Sequence, residues 1–116
     1  VLITSDDEKF IVGITKIIED NIANTEFNVD ILAAKLNISR STLYRRTLET
    51  INMTPIDMIR NIRMKRAASL LELTDKTVAE ISEMVGYAEQ RYFGRCFKKE
   101  YGTTPKQYAK SKKEGR

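Results

Sequence analysis

Residues 29–55 nearly recur as residues 78–105, and this near-repeat narrows the possible folds more than any other feature. Leu43 answers to Phe93, Arg45 to Arg95, Asn52 to Gly102, Thr54 to Thr104 and Pro55 to Pro105, each fifty positions on. Upstream the spacing is forty-nine, Val29 answering to Val78 and Leu32 to Ile81, so the second copy carries one extra residue in its turn. Asn52 and Gly102 share a position, and Asn and Gly are the two residues that best tolerate the left-handed conformation ending a helix. Each copy therefore reads as a short helix, a tight turn, a second helix, a stop and a capped restart. Helix-turn-helix units have this shape, and so do helical protein-binding repeats.

The remaining punctuation also reads as helix. Phe10, Ile11, Ile14, Ile17 and Ile18 recur at helical spacing, with acids in the first turn, which predicts a helix over 7–22. Asn28 can cap a helix running to about Leu36, and Ser39 one running to about Thr50. Thr54-Pro55-Ile56-Asp57 supplies a cap, a proline at the first helical position and an acid at the third. From there a helix can run to about Leu73, or about 28 Å at the usual rise per residue. Thr77 to Glu80 forms a capping box for a helix ended by Gly86. Residues 89–101 form the next helix, and Thr104-Pro105-Lys106-Gln107 starts a last short one. No segment shows strand-period alternation. The expected fold is all-α, about seven helices in two helix-turn-helix subdomains, at about 29–50 and 78–101, joined by a long central helix. Residues 1–26 are expected to be a helix and linker leading from an upstream region, 27–110 the paired module, and 111–116 a basic tail.

The chain has no histidine and one cysteine among 116 residues. That excludes zinc sites of the usual composition, internal disulfides, and Ser-His or Cys-His nucleophile pairs. Five scattered glycines make no phosphate-cradling loop. No enzymatic activity, metal or cofactor is expected. Cys96, between Phe93 and Phe97, is expected in the core rather than as a redox sensor, and it fits a reducing compartment. No apolar run approaches membrane-spanning length. A start at Val1 rather than Met suits a fragment of a longer chain.

The net charge of +4 hides an asymmetry: residues 1–30 hold seven acids and two bases, residues 91–116 nine bases and two acids. An acidic end facing protein and a basic end facing a polyanion would fit this distribution. At 100° per residue, Leu43, Thr47, Thr50 and Ile51 share the inward side of the first copy's second helix. Ser41, Thr42 and Arg45 lie opposite, with Arg40 and Tyr44 at the flanks. In the second copy Phe93, Cys96 and Phe97 face inward, and Arg91 and Arg95 outward, with Gln90 and Lys98 beside them. Arg is the commonest reader of guanine, and Gln can read adenine. Gly94, between the arginines, weakens the helix but permits close backbone approach. Two such helices on one rigid helix can enter successive major grooves about 34 Å apart. The alternative is a helical protein-interaction module using its basic face on an acidic partner. RNA is disfavoured because its deep narrow groove does not admit a helix. Tyr92, Tyr101 and Tyr108 read as helix-packing residues, and the four methionines as gap-fillers. Arg60, Arg63, Lys65 and Arg66 lie on the long helix, where Arg63 can equally be a buried structural cation.

"VAEISEMVGYAEQRYFGRCFKKEYGTTPKQY" resembles the second helix-turn-helix and signature of the AraC/XylS transcription-regulator family. "DILAAKLNISRSTLYRR" resembles that family's first helix-turn-helix, and "TPIDMIRNIRMKRAASLLEL" its connecting helix. The resemblance spans about residues 27–110 and implies a monomeric seven-helix module whose recognition helices occupy adjacent major grooves of double-stranded DNA. Carried over by position, base contacts fall to Ser41, Tyr44 and Arg45, and to Gln90, Arg91 and Arg95. The expected phosphate contacts are Arg40, Thr42, Arg46, Lys98 and Lys99. The chain departs from the family pattern at Asn52 (usually glycine), Thr47 (commonly a large apolar residue), Ser82 (often alanine) and Arg91 (often serine).

The opening "SDDEKFIVGITKIIEDNI" resembles the segment preceding this module in hybrid two-component regulators, which join sensor, histidine kinase, receiver and DNA-binding parts in one chain. The resemblance implies a cytoplasmic protein whose partners are double-stranded DNA, RNA polymerase and upstream receiver and kinase regions. No membrane contact by this segment is expected.

Overall fold

The computed structural model describes residues 4–115; Val1, Leu2, Ile3 and Arg116 lie outside the described residues. Among these the expected all-α architecture holds, with seven helices and no strand. They are α1 (Ser5–Asp20), α2 (Val29–Lys35), α3 (Arg40–Ile51), α4 (Pro55–Leu73), α5 (Val78–Met84), α6 (Gln90–Tyr101) and α7 (Pro105–Glu114). None is long and apolar enough to cross a membrane.

The caps act largely where the side chains permit. Asn28, Ser39, Thr77 and Thr104 each accept a backbone N–H three residues on, opening α2, α3, α5 and α7. Thr54 does the same for Asp57 at the start of α4. The Thr77 N–H in turn donates to Glu80 and holds that carboxyl below its ordinary pKa. The start of α1 differs from expectation. Thr4 and Asp7 form a capping box, so the helix begins at Ser5 instead of 7. It ends at Asp20 instead of 22, where the Asn21 side chain donates to the Ile17 carbonyl at 2.8 Å. The segment from 111, expected as a tail, continues α7 to Glu114, with Lys113 Nζ 3.2 Å from Asp75.

The chain separates into two compact units. Unit 1 takes residues up to Asn21 and Phe27–Ile62; unit 2 takes Ile22–Glu26 and everything from Arg63 on. In unit 1, Ile14 and Ile18 of α1 are fully buried with Leu32 of α2 and Leu43 of α3, and Phe27, Val29, Met58 and Ile59 complete an otherwise aliphatic cluster. Helix α1 is therefore built into this unit's core. In unit 2, Met64, Ala67 and Leu71 of α4 cluster with Ile81, Val85, Phe93 and Phe97. Phe97 meets Tyr101 and Tyr108 at ring-centroid distances of 4.6 and 5.3 Å. Cys96 is half-buried against this cluster.

Candidate nucleic-acid interface

The two turns that aim α3 and α6 are built alike. Asn37 (φ 58°) and Gly86 (φ 85°) both adopt the left-handed conformation. The following N–H donates five residues back in each, Ile38 to Ala33 and Tyr87 to Ser82. Beyond that bond α3 starts after Ser39, whereas α6 starts after Ala88 and Glu89. This is where the second copy's extra residue sits. Gly86 is further constrained, because a Cβ there would collide with the Ile22 carbonyl oxygen and lie 2.8 Å from Arg63 Nη2. Arg63 is the buried cation considered from sequence: 8% exposed, it donates to the Asn24 carbonyl at 2.8 Å. Its Nε has no hydrogen-bond partner, and burial lowers its pKa from the ordinary arginine value. At the far ends, Asn52 and Gly102 both close their helices left-handed, so the Asn-for-Gly departure preserves the backbone.

The exposed face of α3 carries Ser41 and Arg45, with Tyr44 half-buried beside them. Its cations are tethered. Arg40 Nη1 donates to Asp30 of α2 at 2.9 Å, and its Nη2 lies 3.4 Å from the Tyr44 hydroxyl. The Asp30 bond raises the Arg40 pKa above its ordinary value. Arg45 pairs with Glu49, one turn on, at 3.5 Å. Thr42 is half-buried, its hydroxyl accepting from Ser39 at 2.9 Å. Arg46 stands apart from the outward set. Its guanidinium lies 3.7 Å from the Phe10 ring centroid and 4.0 Å from Asp7, turned onto α1.

On α6, Gln90, Arg91, Arg95, Lys98 and Lys99 are all exposed. Among the described residues none of these cations is ion-paired, so neither Glu89 nor Glu100 holds Arg95. A Cβ at Gly94 would meet nothing within 4 Å, so no neighbour within the protein requires glycine there. Tyr92 is 48% exposed, more than a helix-packing residue would be, and carries the Arg95 guanidinium 5.7 Å from its ring centroid. Neither Tyr92 as a support nor Asp30 as a tether was evident in the sequence. Only the Arg45–Glu49 spacing, four apart on one helix, offered a signal. The described residues contain no group of three or more His, Cys, Asp or Glu able to hold a metal ion.

The sequence matches the family described as "Helix-turn-helix domain" over residues 32–111. It is 41% identical over 88 residues to the xylose operon regulatory protein of Escherichia coli K12, covering 76% of this chain and 22% of that protein. The chain belongs to the AraC/XylS family. It is also 41% identical over 108 residues to histidine kinase P4 of Formosa agariphila, covering 93% of this chain but 8% of the kinase. Among solved structures, the C-terminal domain of the two-component response regulator yesN from Fusobacterium nucleatum superposes with a TM-score of 0.82 at 33% identity. That match covers 87% of this chain and 98% of that one. The chain thus spans under a quarter of each of these two curated relatives, and nearly all of the solved domain.

Proposed function

We propose that this AraC/XylS module binds specific double-stranded DNA and regulates transcription, placing α3 and α6 in successive major grooves. The observation that carries the reading is the outward face of α6, where Arg91, Arg95, Lys98 and Lys99 are exposed and unpaired. Cations left without acid partners on a helix-turn-helix suit a polyanion, and arginine forks suit guanine edges. In this reading Ser41, Tyr44, Arg45, Gln90, Arg91 and Arg95 contact bases, while Arg40, Thr42, Lys98 and Lys99 contact phosphate. Arg46 joins the phosphate set only by leaving Phe10. The two copies differ at most outward positions, which supports an asymmetric site and a module that binds as a monomer.

Likeness to a histidine kinase and to a response regulator's C-terminal domain supports an output role in a hybrid two-component regulator. Upstream receiver and kinase regions, RNA polymerase as partner and a cytoplasmic location belong to the same proposal. Titrating the chain with duplex DNA across a salt series tests the core of it. Affinity is expected to fall steeply as salt rises, because each neutralised phosphate releases counterions. Binding indifferent to salt, or abolished by a chelator, would overturn the reading.

A further inference from the structure

Tyr92 has a surface position and an aromatic environment at once. Its ring lies 5.8 Å from that of Tyr87, tilted 46°. Tyr87 is buried, 5.5 Å from Phe93, and carries the buried Arg63 guanidinium 5.8 Å from its centroid. Arg63 is fastened to the Asn24 carbonyl. Tyr92 therefore rests against Tyr87, a ring that belongs to the core, and also meets Arg95, three residues on along α6. The matched position in α3 is Thr42, and there Arg45 leans on Glu49 instead.

These two supports differ chemically. A carboxylate takes up an N–H of the arginine, as Glu49 does at Nη1 of Arg45, and competes with a base for the fork. An aromatic ring attracts the cation through its π face, using no N–H and leaving the bidentate edge available. Such a ring also restricts the long side chain before binding, which lowers the ordering cost on contact. We propose that Tyr92 is a positioning residue for Arg95, holding its guanidinium in place to read a base. The proposal rests on the assignment of Arg95 as a reader.

The test compares two duplexes: one selected by this chain from a random-sequence library, and a shuffled duplex of the same composition. Tyr92→Leu keeps bulk without a π face. It is expected to lose about two- to fivefold in affinity for the selected duplex, the size of an exposed cation–π contact, and almost nothing on the shuffled one. Tyr92→Phe and Tyr92→Trp keep the π face and should preserve the ratio between the duplexes. In an Arg95→Ala background, Tyr92→Leu should have no further effect.

Equal weakening on both duplexes by Tyr92→Phe would make the phenol a phosphate contact and overturn the proposal. So would a Tyr92→Leu effect that persists without Arg95, or a lowered Tm with an unchanged ratio. If Arg95→Ala itself leaves the ratio unchanged, the reader assignment fails as well, an outcome separable from failure at Tyr92 alone.

Discussion

The outward cations of α3 in unit 1 are held by acids, Arg40 by Asp30 and Arg45 by Glu49, while those of α6 in unit 2 are bare or stacked on a ring. The cores differ in parallel. Unit 1 is mostly aliphatic and places Thr47 at the position of Phe97, its hydroxyl donating to the Tyr44 carbonyl at 3.2 Å. Unit 2 stacks Phe93, Phe97, Tyr101 and Tyr108. The left-handed positions of the backbone, by contrast, match in both: turns at Asn37 and Gly86, helix ends at Asn52 and Gly102. What repeats is the conformation that aims a helix. Each copy solves packing and charge its own way, and unit 2 presents more cation ready for a polyanion.

The largest contrast is expected at the two turns. Gly86→Ala sets a Cβ against the Ile22 carbonyl and Arg63 in a left-handed backbone. Strain and overpacking together should cost about 3 kcal/mol. Asn37→Gly relieves left-handed strain but frees the unfolded chain, and should change stability by less than about 1 kcal/mol. Denaturant midpoints of the two variants check this. Comparable losses at both turns would mean that the close approach at Gly86 contributes little, and that the turns are equivalent after all.

Much of this arrangement was legible in the sequence, and the misses share a cause. Thr54-Pro55 and Thr104-Pro105 announced helix starts because capping is chemistry between residues two or three apart. Asn52 answered Gly102 because a left-handed stop selects residue type directly. Thr4 is not marked as a cap in the sequence because the apolar period of α1 begins only at Phe10, so nothing apolar points to the residue before it. The turn of Arg46 onto α1 is hidden because a helical wheel shows which side a residue faces, not what stands opposite. Phe10 and Asp7 reach it from α1, far away in sequence. Asp30 is similarly hidden, because the turn between α2 and α3 decides its meeting with Arg40.

A middle-sized effect should separate the two sets of readers. Arg45→Ala and Arg95→Ala are each expected to cost about 1–3 kcal/mol on a selected duplex, relaxing preference at one base position apiece. Arg45 should lie at the lower end, since it must first leave Glu49, an exposed pair worth at most about 1 kcal/mol. Glu49→Gln removes that competition and a negative charge near phosphate, so it should tighten binding, while Glu100→Gln on α6, which pairs with neither arginine, should tighten it less. Fluorescence anisotropy at fixed salt checks all four variants. Equal gains from Glu49→Gln and Glu100→Gln would reduce the tether to general charge.

The smallest effect belongs to the helix ends, where the copies match in conformation and differ only in residue. Asn52 and Gly102 are both exposed and left-handed, and a Cβ at Gly102 would meet nothing within 4 Å. With packing absent, only backbone preference distinguishes them. Asn52→Gly and Gly102→Asn should therefore shift stability by about 0.5 kcal/mol or less. Alanine, which lacks the local hydrogen bonding that eases Asn into this region, should cost about 1 kcal/mol at either site. In a domain of this size that is a fall in Tm of about 5 °C, within reach of a thermal melt. If Gly102→Asn lowered Tm as much as Gly102→Ala, asparagine would not be an adequate stop in unit 2. The two helix ends would then be alike in geometry but not in what they demand of the residue.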